Sequence, residues 1–251
     1  MNTPSLAGKR VLITGGGSGV GANMALAFAN AGAEVVITGR RLDALAQVAA
    51  QHSSIRSITA DVTDEASVQA LFAAAGLVDI VIANAGAAES APLAKTSLAT
   101  WQNMLAVNLT GVFLTLREGL KQLQQRDWGR LIVVASTAGL KGYAYVAPYA
   151  AAKHGAIGLV RSLALEVATK GITVNALCPG FLDTEMTERS VANIMQKTGR
   201  SHEEAVAALA ATNPQQRLIQ PSEVSSAALW LCAAGSEGIN GQALAIAGGE
   251  V

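Results

Sequence analysis

The sequence lacks the features that mark proteins of membranes, nucleic acids and the secretory pathway. Its 18 Lys and Arg residues balance 18 Asp and Glu residues, and no run of five like charges occurs, so no nucleic-acid or membrane-surface partner is indicated. No apolar run approaches the roughly 20 residues that span a bilayer. The first nine residues lack the apolar core of a signal peptide. We therefore expect a cytoplasmic protein with a small-molecule partner.

Cysteine and histidine are also scarce, which argues against a structural metal or a disulfide framework. Cys178 and Cys232 lack metal-ligand spacing, and both lie in apolar contexts that suit buried thiols. The three histidines are scattered, without a matching cluster of cysteines or carboxylates. We expect no metal site.

Short apolar runs alternate with longer helical patterns along most of the 251 residues. Strongly apolar strands separated by helix-length segments are typical of a parallel sheet that is covered on both faces. The pattern predicts one α/β domain over residues 1–251, a Rossmann-type, doubly wound, seven-stranded parallel sheet with helices on both faces. The predicted strands are Val11–Thr14, Val35–Thr38, Ile55–Thr59, Ile80–Ala83, Leu131–Ala135, Thr173–Leu177 and Leu244–Ala247.

Residues Phe181–Pro214 break this alternation. Long excursions from compact domains are usually functional or mobile. We interpret the segment as a helical insertion that covers the substrate, with surface decoration as the alternative.

A glycine-rich segment, Thr14–Gly21, lies between the first apolar run and a helical pattern. Glycines let the backbone approach a ligand closely, and the free N–H groups of a helix start attract a pyrophosphate. The arrangement predicts a dinucleotide-binding loop, whereas a flexible linker is the alternative. The candidate cofactor-binding residues of the loop are Gly15, Gly17, Ser18, Gly19, Val20 and Gly21.

The end of the second predicted strand bears on the choice of cofactor. Enzymes that prefer NAD commonly place an acidic residue there to bind the ribose hydroxyls. Gly39 is followed instead by Arg40 and Arg41, and guanidinium groups suit a phosphate. NADP(H) is favoured and NAD(H) is possible. Alternatively, these arginines are solvated charges at the start of a helix.

Tyr149 and Lys153 are four residues apart, which places them on one face of a helix. A phenol titrates near pH ~10, so it needs a nearby positive charge to exchange protons at neutral pH. We expect Lys153 to supply that charge and to lower the pKa of Tyr149. A pair on a solvated helix surface is the alternative. Ser136, at the end of the fifth strand, either joins this pair or caps a turn.

Together these motifs resemble the short-chain dehydrogenase/reductase family over nearly the whole chain. The matching residues are the T-G-x-x-x-G-x-G loop of Thr14–Gly21, Asp61, Ala83-Asn84-Ala85-Gly86, Asn108, Ser136, Tyr149-x-x-x-Lys153, and Pro179-Gly180 followed by Thr184. The chain departs from the family at Ala83, where Asn is common, and at Ala247, where Asp is frequent.

The resemblance implies a catalytic set of Ser136, Tyr149 and Lys153, assisted by Asn108. Asn108 could instead cap a helix that begins at Leu109. In the family scheme Asp61 and Val62 contact the adenine, Thr184 helps to hold the nicotinamide carboxamide, and further cofactor contacts come from Asn84, Ala85, Gly86, Tyr149, Lys153, Pro179 and Gly180.

The implied activity is an NADP(H)-dependent interconversion of a ketone and a secondary alcohol, with a 3-oxoacyl, 3-hydroxyacyl or other small keto compound as substrate. Reductases of carrier-bound acyl groups tend to have two basic residues before the fifth strand, where Arg126 is followed by Asp127. Free or CoA-linked compounds are therefore equally possible. An NAD-dependent alcohol or hydroxy-acid dehydrogenase and a non-catalytic nucleotide-sensing module are the competing hypotheses.

Two predicted helices, about residues 109–125 and 147–169, are apolar around much of their circumference. The last predicted strand is an apolar sheet edge. We expect a homotetramer, and a monomer covered by the insertion is the alternative.

Overall fold

The computed structural model describes residues 5–124 and 126–251. Two parts of the chain lie outside the described residues. Residues 1–4 begin the segment that is predicted to lack a signal peptide, and Gln125 is the predicted last residue of a helix.

Seven strands form one parallel sheet in the described part of the chain, as the apolar runs predict. The strand order is β3-β2-β1-β4-β5-β6-β7, and every neighbouring pair is parallel. Each predicted strand is present, with small shifts at its ends. The strands are β1 Arg10–Thr14, β2 Glu34–Gly39, β3 Ile55–Thr59, β4 Ile80–Ala83, β5 Gly129–Val134, β6 Ile172–Pro179 and β7 Ala243–Ile246.

Helices cover both faces of the sheet, which explains why most strands are apolar on both sides. Within residues 5–124 and 126–251 the α-helices are α1 Gly19–Asn30, α2 Leu42–Ala49, α3 Glu65–Ala75, α4 Leu98–Leu105, α5 Gly111–Leu123, α6 Ala147–Val167, α7 Glu185–Thr198, α8 His202–Ala210 and α9 Pro221–Cys232. Leu12 of β1 joins the core beneath α3, α5 and α6. Its neighbours Val11 and Ile13 join the core beneath α1, α2 and α9, because successive side chains of a strand point to opposite faces. The doubly wound fold is confirmed.

The strand order places β1 between β2 and β4, so the direction in which strands are added reverses beside β1. Ligands of doubly wound sheets bind outside the carboxyl ends of the strands at such a switch point. Predicted site residues follow the carboxyl ends of β1 to β6, and the fold gathers these along one edge of the sheet, whereas Asn108, Tyr149 and Lys153 lie on helical segments.

The predicted insertion contains α7 and α8, but the excursion ends later than Pro214. Leu182 pairs with Ile219 in an isolated parallel bridge, and the Asp183 amide donates to the Ile219 carbonyl at 2.9 Å. Asn193 of α7 donates to the Ser90 hydroxyl at 3.0 Å, which ties the segment to the loop after β4. Its role as a substrate cover stays a prediction.

Among the helices of the described ranges, none combines the length and apolarity that crossing a membrane requires.

Candidate active site

Ser136, Tyr149 and Lys153 meet at the carboxyl end of β5. Ser136 starts the short 3₁₀ turn Thr137–Gly139, and its hydroxyl accepts a hydrogen bond from the Ala138 amide at 3.1 Å. The same hydroxyl lies near the Tyr149 phenol and acts to lower its pKa. The serine therefore caps a turn and also joins the tyrosine, so the two interpretations are compatible.

Helix α6 presents Tyr149 and Lys153 to this edge of the sheet. Pro148 lies in its first turn, where the missing amide proton of proline costs nothing. The Lys153 side chain is almost fully buried, and its Nζ donates to the Val134 carbonyl at 2.9 Å. Nζ lies 5.5 Å from the centroid of the Tyr149 ring. The pair is thus part of the site rather than of a solvated helix surface.

The pKa of the Tyr149 phenol differs from the expectation in direction. Burial raises this pKa, and the nearby Ser136 hydroxyl opposes the rise. The net direction is therefore opposite to the expected lowering, because desolvation of the phenolate dominates. The phenol is consequently protonated at neutral pH.

Burial also lowers the pKa of Lys153, to about 8. Cys178, in β6 behind the site, has its pKa raised to about 11 by burial, so its thiol is neutral. Cys178 is buried, as its apolar sequence context predicts, and a buried neutral thiol is unreactive.

Asn108 lies in a π-helical turn, Ala106–Thr110, between α4 and α5. Its amide donates to the carbonyls of Ala87 at 2.9 Å and Met104 at 3.0 Å, and its Oδ1 accepts from the Ala87 amide at 3.2 Å. The helix continues on both sides, so the proposed cap at Leu109 is wrong. Such π turns are frequent at functional sites.

The side chain of Asn108 fixes the segment after β4 beside Lys153. A Cβ added to Gly86 would lie 3.0 Å from Asn108 Oδ1 and 3.7 Å from Lys153 Nζ. The structure thus brings together all four predicted catalytic residues and one predicted cofactor residue.

The glycine loop connects β1 to the first turn of α1. A Cβ on Gly21 would overlap the Gly15 carbonyl oxygen, so this approach requires glycine. Ser18 is the N-cap residue of α1 without a capping hydrogen bond from its own side chain. Of the predicted residues, Gly15, Gly17 and Ser18 lie in this turn, and Gly19, Val20 and Gly21 form the first turn of α1.

Thr14 joins this loop to the end of β4, a role that the glycine pattern alone does not assign. Its hydroxyl oxygen accepts hydrogen bonds from the amides of Asn84 and Ala85, both at 3.0 Å. The Asn84 side chain donates in return to the carbonyls of Thr14 at 2.9 Å and Gly15 at 3.2 Å. The position of Thr14 directly before the first glycine of the loop is the feature of the sequence that could have predicted this contact.

Two arginines and a carboxylate line the crevice on the β2 and β3 side. Arg41 Nη2 donates to the Ser18 hydroxyl at 3.2 Å, so this side chain lies over the glycine loop. Asp61 accepts from the Thr63 amide at 2.9 Å and from its hydroxyl at 2.7 Å. These bonds lower the pKa of Asp61, and the positive charge of Arg40 adds to the effect. Val62 is buried, and its side chain packs against Gly111.

The end of β6 closes the crevice from the other side. Pro179 is the last residue of β6, and the Gly180 amide donates to the Ile246 carbonyl at 3.1 Å. Thr184 is the N-cap residue of α7, and a Cβ on Gly19 would lie 3.5 Å from its Cγ2. The start of the insertion therefore faces the glycine loop.

A family model described as short chain dehydrogenase matches residues 9–194. The chain belongs to the short-chain dehydrogenase family. It is therefore an oxidoreductase that acts on hydroxyl or keto groups.

Relatives of this short-chain dehydrogenase match it over almost its full length. A D-beta-hydroxybutyrate dehydrogenase from Cupriavidus necator is 35% identical, over 98% of this chain and 99% of that protein. A 3-oxoacyl-(acyl-carrier-protein) reductase from Aquifex aeolicus is 32% identical, over 97% of this chain and 98% of the relative. A variant of the actinorhodin polyketide ketoreductase, solved with NADPH, superimposes with a TM-score of 0.93 and 33% identity, over 96% of this chain and 97% of that one.

Two further residues of this short-chain dehydrogenase, Tyr143 and Glu250, contact the site region. Tyr143, between Ser136 and Tyr149 in the chain, donates a hydrogen bond to Glu250. Glu250 lies 107 positions from Tyr143 along the chain, so no local pattern predicts their contact. The position of Glu250 directly after Gly248-Gly249 is the one feature of the sequence that could have drawn attention to it.

Proposed function

We propose that this short-chain dehydrogenase interconverts a ketone and a secondary alcohol with NADP(H), by means of Asn108, Ser136, Tyr149 and Lys153. The observation that carries the proposal is the meeting of Ser136, Tyr149 and Lys153 at the carboxyl edge of the sheet, next to the glycine loop. The buried ammonium beside a phenol is a costly arrangement. A proton-transfer role accounts for it.

The crevice fits a dinucleotide. Gly21 allows close backbone packing at the loop, and the start of α1 offers amide groups to an anion. Asp61, with its lowered pKa, is an ionised acceptor near Arg40. When bound, the nicotinamide would supply or accept the hydride.

NADP(H) is favoured over NAD(H) by the end of β2. Arg40 and Arg41 occupy the place where an acidic residue would bind ribose hydroxyls, and Arg41 already reaches the loop residue Ser18. The structural neighbour solved with NADPH supports this choice. The alternative is an NAD-dependent alcohol or hydroxy-acid dehydrogenase of the same family.

The roles of the side chains follow from their protonation states. For reduction, Ser136 and Tyr149 donate hydrogen bonds to the carbonyl oxygen, and Tyr149 gives its proton to the oxygen that becomes the alcohol. Lys153 stabilises the phenolate that remains, and Asn108 holds the Ala87 segment beside the lysine. The raised pKa of Tyr149 keeps the phenol protonated at neutral pH, and the same groups serve the reverse reaction.

The relatives support a 3-oxoacyl, 3-hydroxyacyl or other small keto compound as the substrate class. Arg126, the basic residue before β5 that a carrier protein could contact, forms an ion pair with Asp79. Both residues precede strands, at the amino edge of the sheet opposite the site. This placement favours free or CoA-linked substrates over carrier-bound ones.

The test is a measurement of NADPH and NADH consumption with a panel of small ketones and 3-oxoacyl-CoA esters, together with the reverse reaction on the alcohols. We expect turnover with NADPH and at least one ketone. Cofactor binding without turnover on any compound would favour the nucleotide-sensing module instead.

We also propose a homotetramer. Phe113 on α5 is 41% exposed and Leu165 on α6 is 82% exposed, and β7 is an apolar strand at the edge of the sheet. A second copy that covers these surfaces would remove them from water. Light scattering at micromolar concentration is expected to give four times the mass of one chain, and a stable monomer would contradict the proposal.

A further inference from the structure

The chain turns after β7 and directs Glu250 toward the site. Gly248 and Gly249 have φ angles of 62° and 95°, in the left-handed region that favours glycine. A Cβ on Gly248 would overlap the side chain of Asn213, at the end of the insertion. This turn therefore requires glycine and fixes the direction of Glu250.

The carboxylate of Glu250 contacts two different parts of the site region. Its side chain is 1% exposed, and Oε1 lies 3.1 Å from Lys141 Nζ. The same oxygen accepts a hydrogen bond from the Tyr143 hydroxyl. Oε2 is buried without a hydrogen-bond partner and faces Gly180, where an added Cβ would lie 3.1 Å away. Glu250 thus links the segment after Ser136 to the end of β6.

Tyr143 connects this carboxylate to the catalytic residues. Its hydroxyl also lies 2.7 Å from the Thr137 hydroxyl, next to Ser136 in the chain, and its ring packs edge-to-face on Phe181 with centroids 6.3 Å apart. The pKa of Tyr143 is raised, mainly by burial and then by the bond to Glu250, with a small contribution from the neighbouring Tyr149. Tyr143 is therefore a neutral phenol of fixed orientation close to the proton donor.

We propose that Glu250 is a positioning residue that fixes Tyr143 and so shapes the wall of the substrate pocket beside Tyr149. This inference rests on the proposed function. Glu250 acts through Tyr143, on the binding and orientation of the substrate, and leaves the proton transfer itself to Tyr149.

The first test does not depend on activity. Hydrogen–deuterium exchange of the intact protein compares the wild type with Glu250→Ala, and we expect faster exchange in the segment 140–146 with unchanged exchange in the glycine loop. Glu34→Ala is the control, because it removes another glutamate, one that pairs with Arg10 at the distant amino edge of the sheet. Unchanged exchange of the segment in Glu250→Ala would overturn the proposal.

The second test separates substrate binding from chemistry. With a ketone that the wild type reduces, Glu250→Ala is expected to raise KM about tenfold, the effect of losing a hydrogen bond to a charged group, and to change kcat much less. Glu250→Gln keeps an acceptor for Tyr143 and restores part of the KM. Tyr143→Phe is expected to have a KM similar to that of the double variant Tyr143→Phe/Glu250→Ala. The reason is that Glu250 acts on the substrate only through Tyr143.

The outcomes distinguish the two proposals. A wild type that turns over no ketone refutes the proposed function, while the exchange experiment still decides the position of Tyr143. An active wild type whose KM is unaffected by Glu250→Ala, or additive effects of the two substitutions, would refute the role of Glu250.

Discussion

The hydroxyl of Thr14 offers a test of how the cofactor loop is held in place. It is buried and accepts hydrogen bonds from two consecutive amides, those of Asn84 and Ala85. Thr14→Val keeps the shape of the side chain but removes the acceptor. Each buried amide left unpaired costs about 1–3 kcal/mol. The lower part of that range applies, because Asn84 and Ala85 are only half-buried.

The expected loss of unfolding free energy is therefore about 2–3 kcal/mol, or roughly 4–12 °C in the temperature of thermal unfolding. Thr14→Ser is the matched control, because it loses a methyl group and keeps the acceptor. Thermal unfolding of the three proteins without cofactor, at one concentration, measures the difference. A valine variant as stable as the wild type, or a serine variant as unstable as the valine variant, would refute this account of the loop.

Three further predictions concern the proposed catalytic and cofactor residues. Tyr149→Phe should fold and bind NADPH but lose about 10²–10⁴-fold in kcat, the usual range for a positioned acid, and a loss of only a few-fold would exclude Tyr149 as the proton donor. Arg40→Ala, more than Arg41→Ala, should weaken the binding of NADPH by about 10- to 100-fold, as expected for a lost charge-assisted contact, and the binding of NADH much less. Titration with both cofactors measures this, and equal weakening would contradict the NADP(H) preference. Burial lowers the pKa of Lys153 from 10.5 to about 8. Between about pH 8 and pH 10.5 the folded state therefore binds fewer protons than the unfolded state. The contribution of Lys153 to the free energy of unfolding accordingly rises with pH over this range. The stability of the wild type relative to Lys153→Met should accordingly rise by about 3 kcal/mol from pH 7 to pH 10.5 in urea unfolding without cofactor, and a pH-independent difference would show that Lys153 is not desolvated.

The parts of this fold that could be predicted from the sequence are those set by local patterns. Runs such as Val11–Ile13 and Ile80–Ala83 are too apolar for a strand with a solvated face, and they predict a parallel sheet between layers of helices. Once that sheet is assumed, the carboxyl ends of its strands collect the glycine loop, Ser136 and Gly180 without further information.

The remaining features depend on contacts between residues distant in sequence. Asn108 lies in a π-helical turn and bonds to Ala87 across the site, and no local pattern distinguishes that role from a helix cap. The closure of the insertion at Ile219 depends on pairing with Leu182. The raised pKa of Tyr149 reflects burial, which spacing along a helix does not show.

The pairing of β7 with β6 has a consequence for engineering the site. This strand is held in register by β6, and the turn that follows seats Glu250 beside Tyr143. Libraries that vary residues 140–146 should therefore leave Gly248, Gly249 and Glu250 unchanged, because this turn holds the carboxylate against that segment.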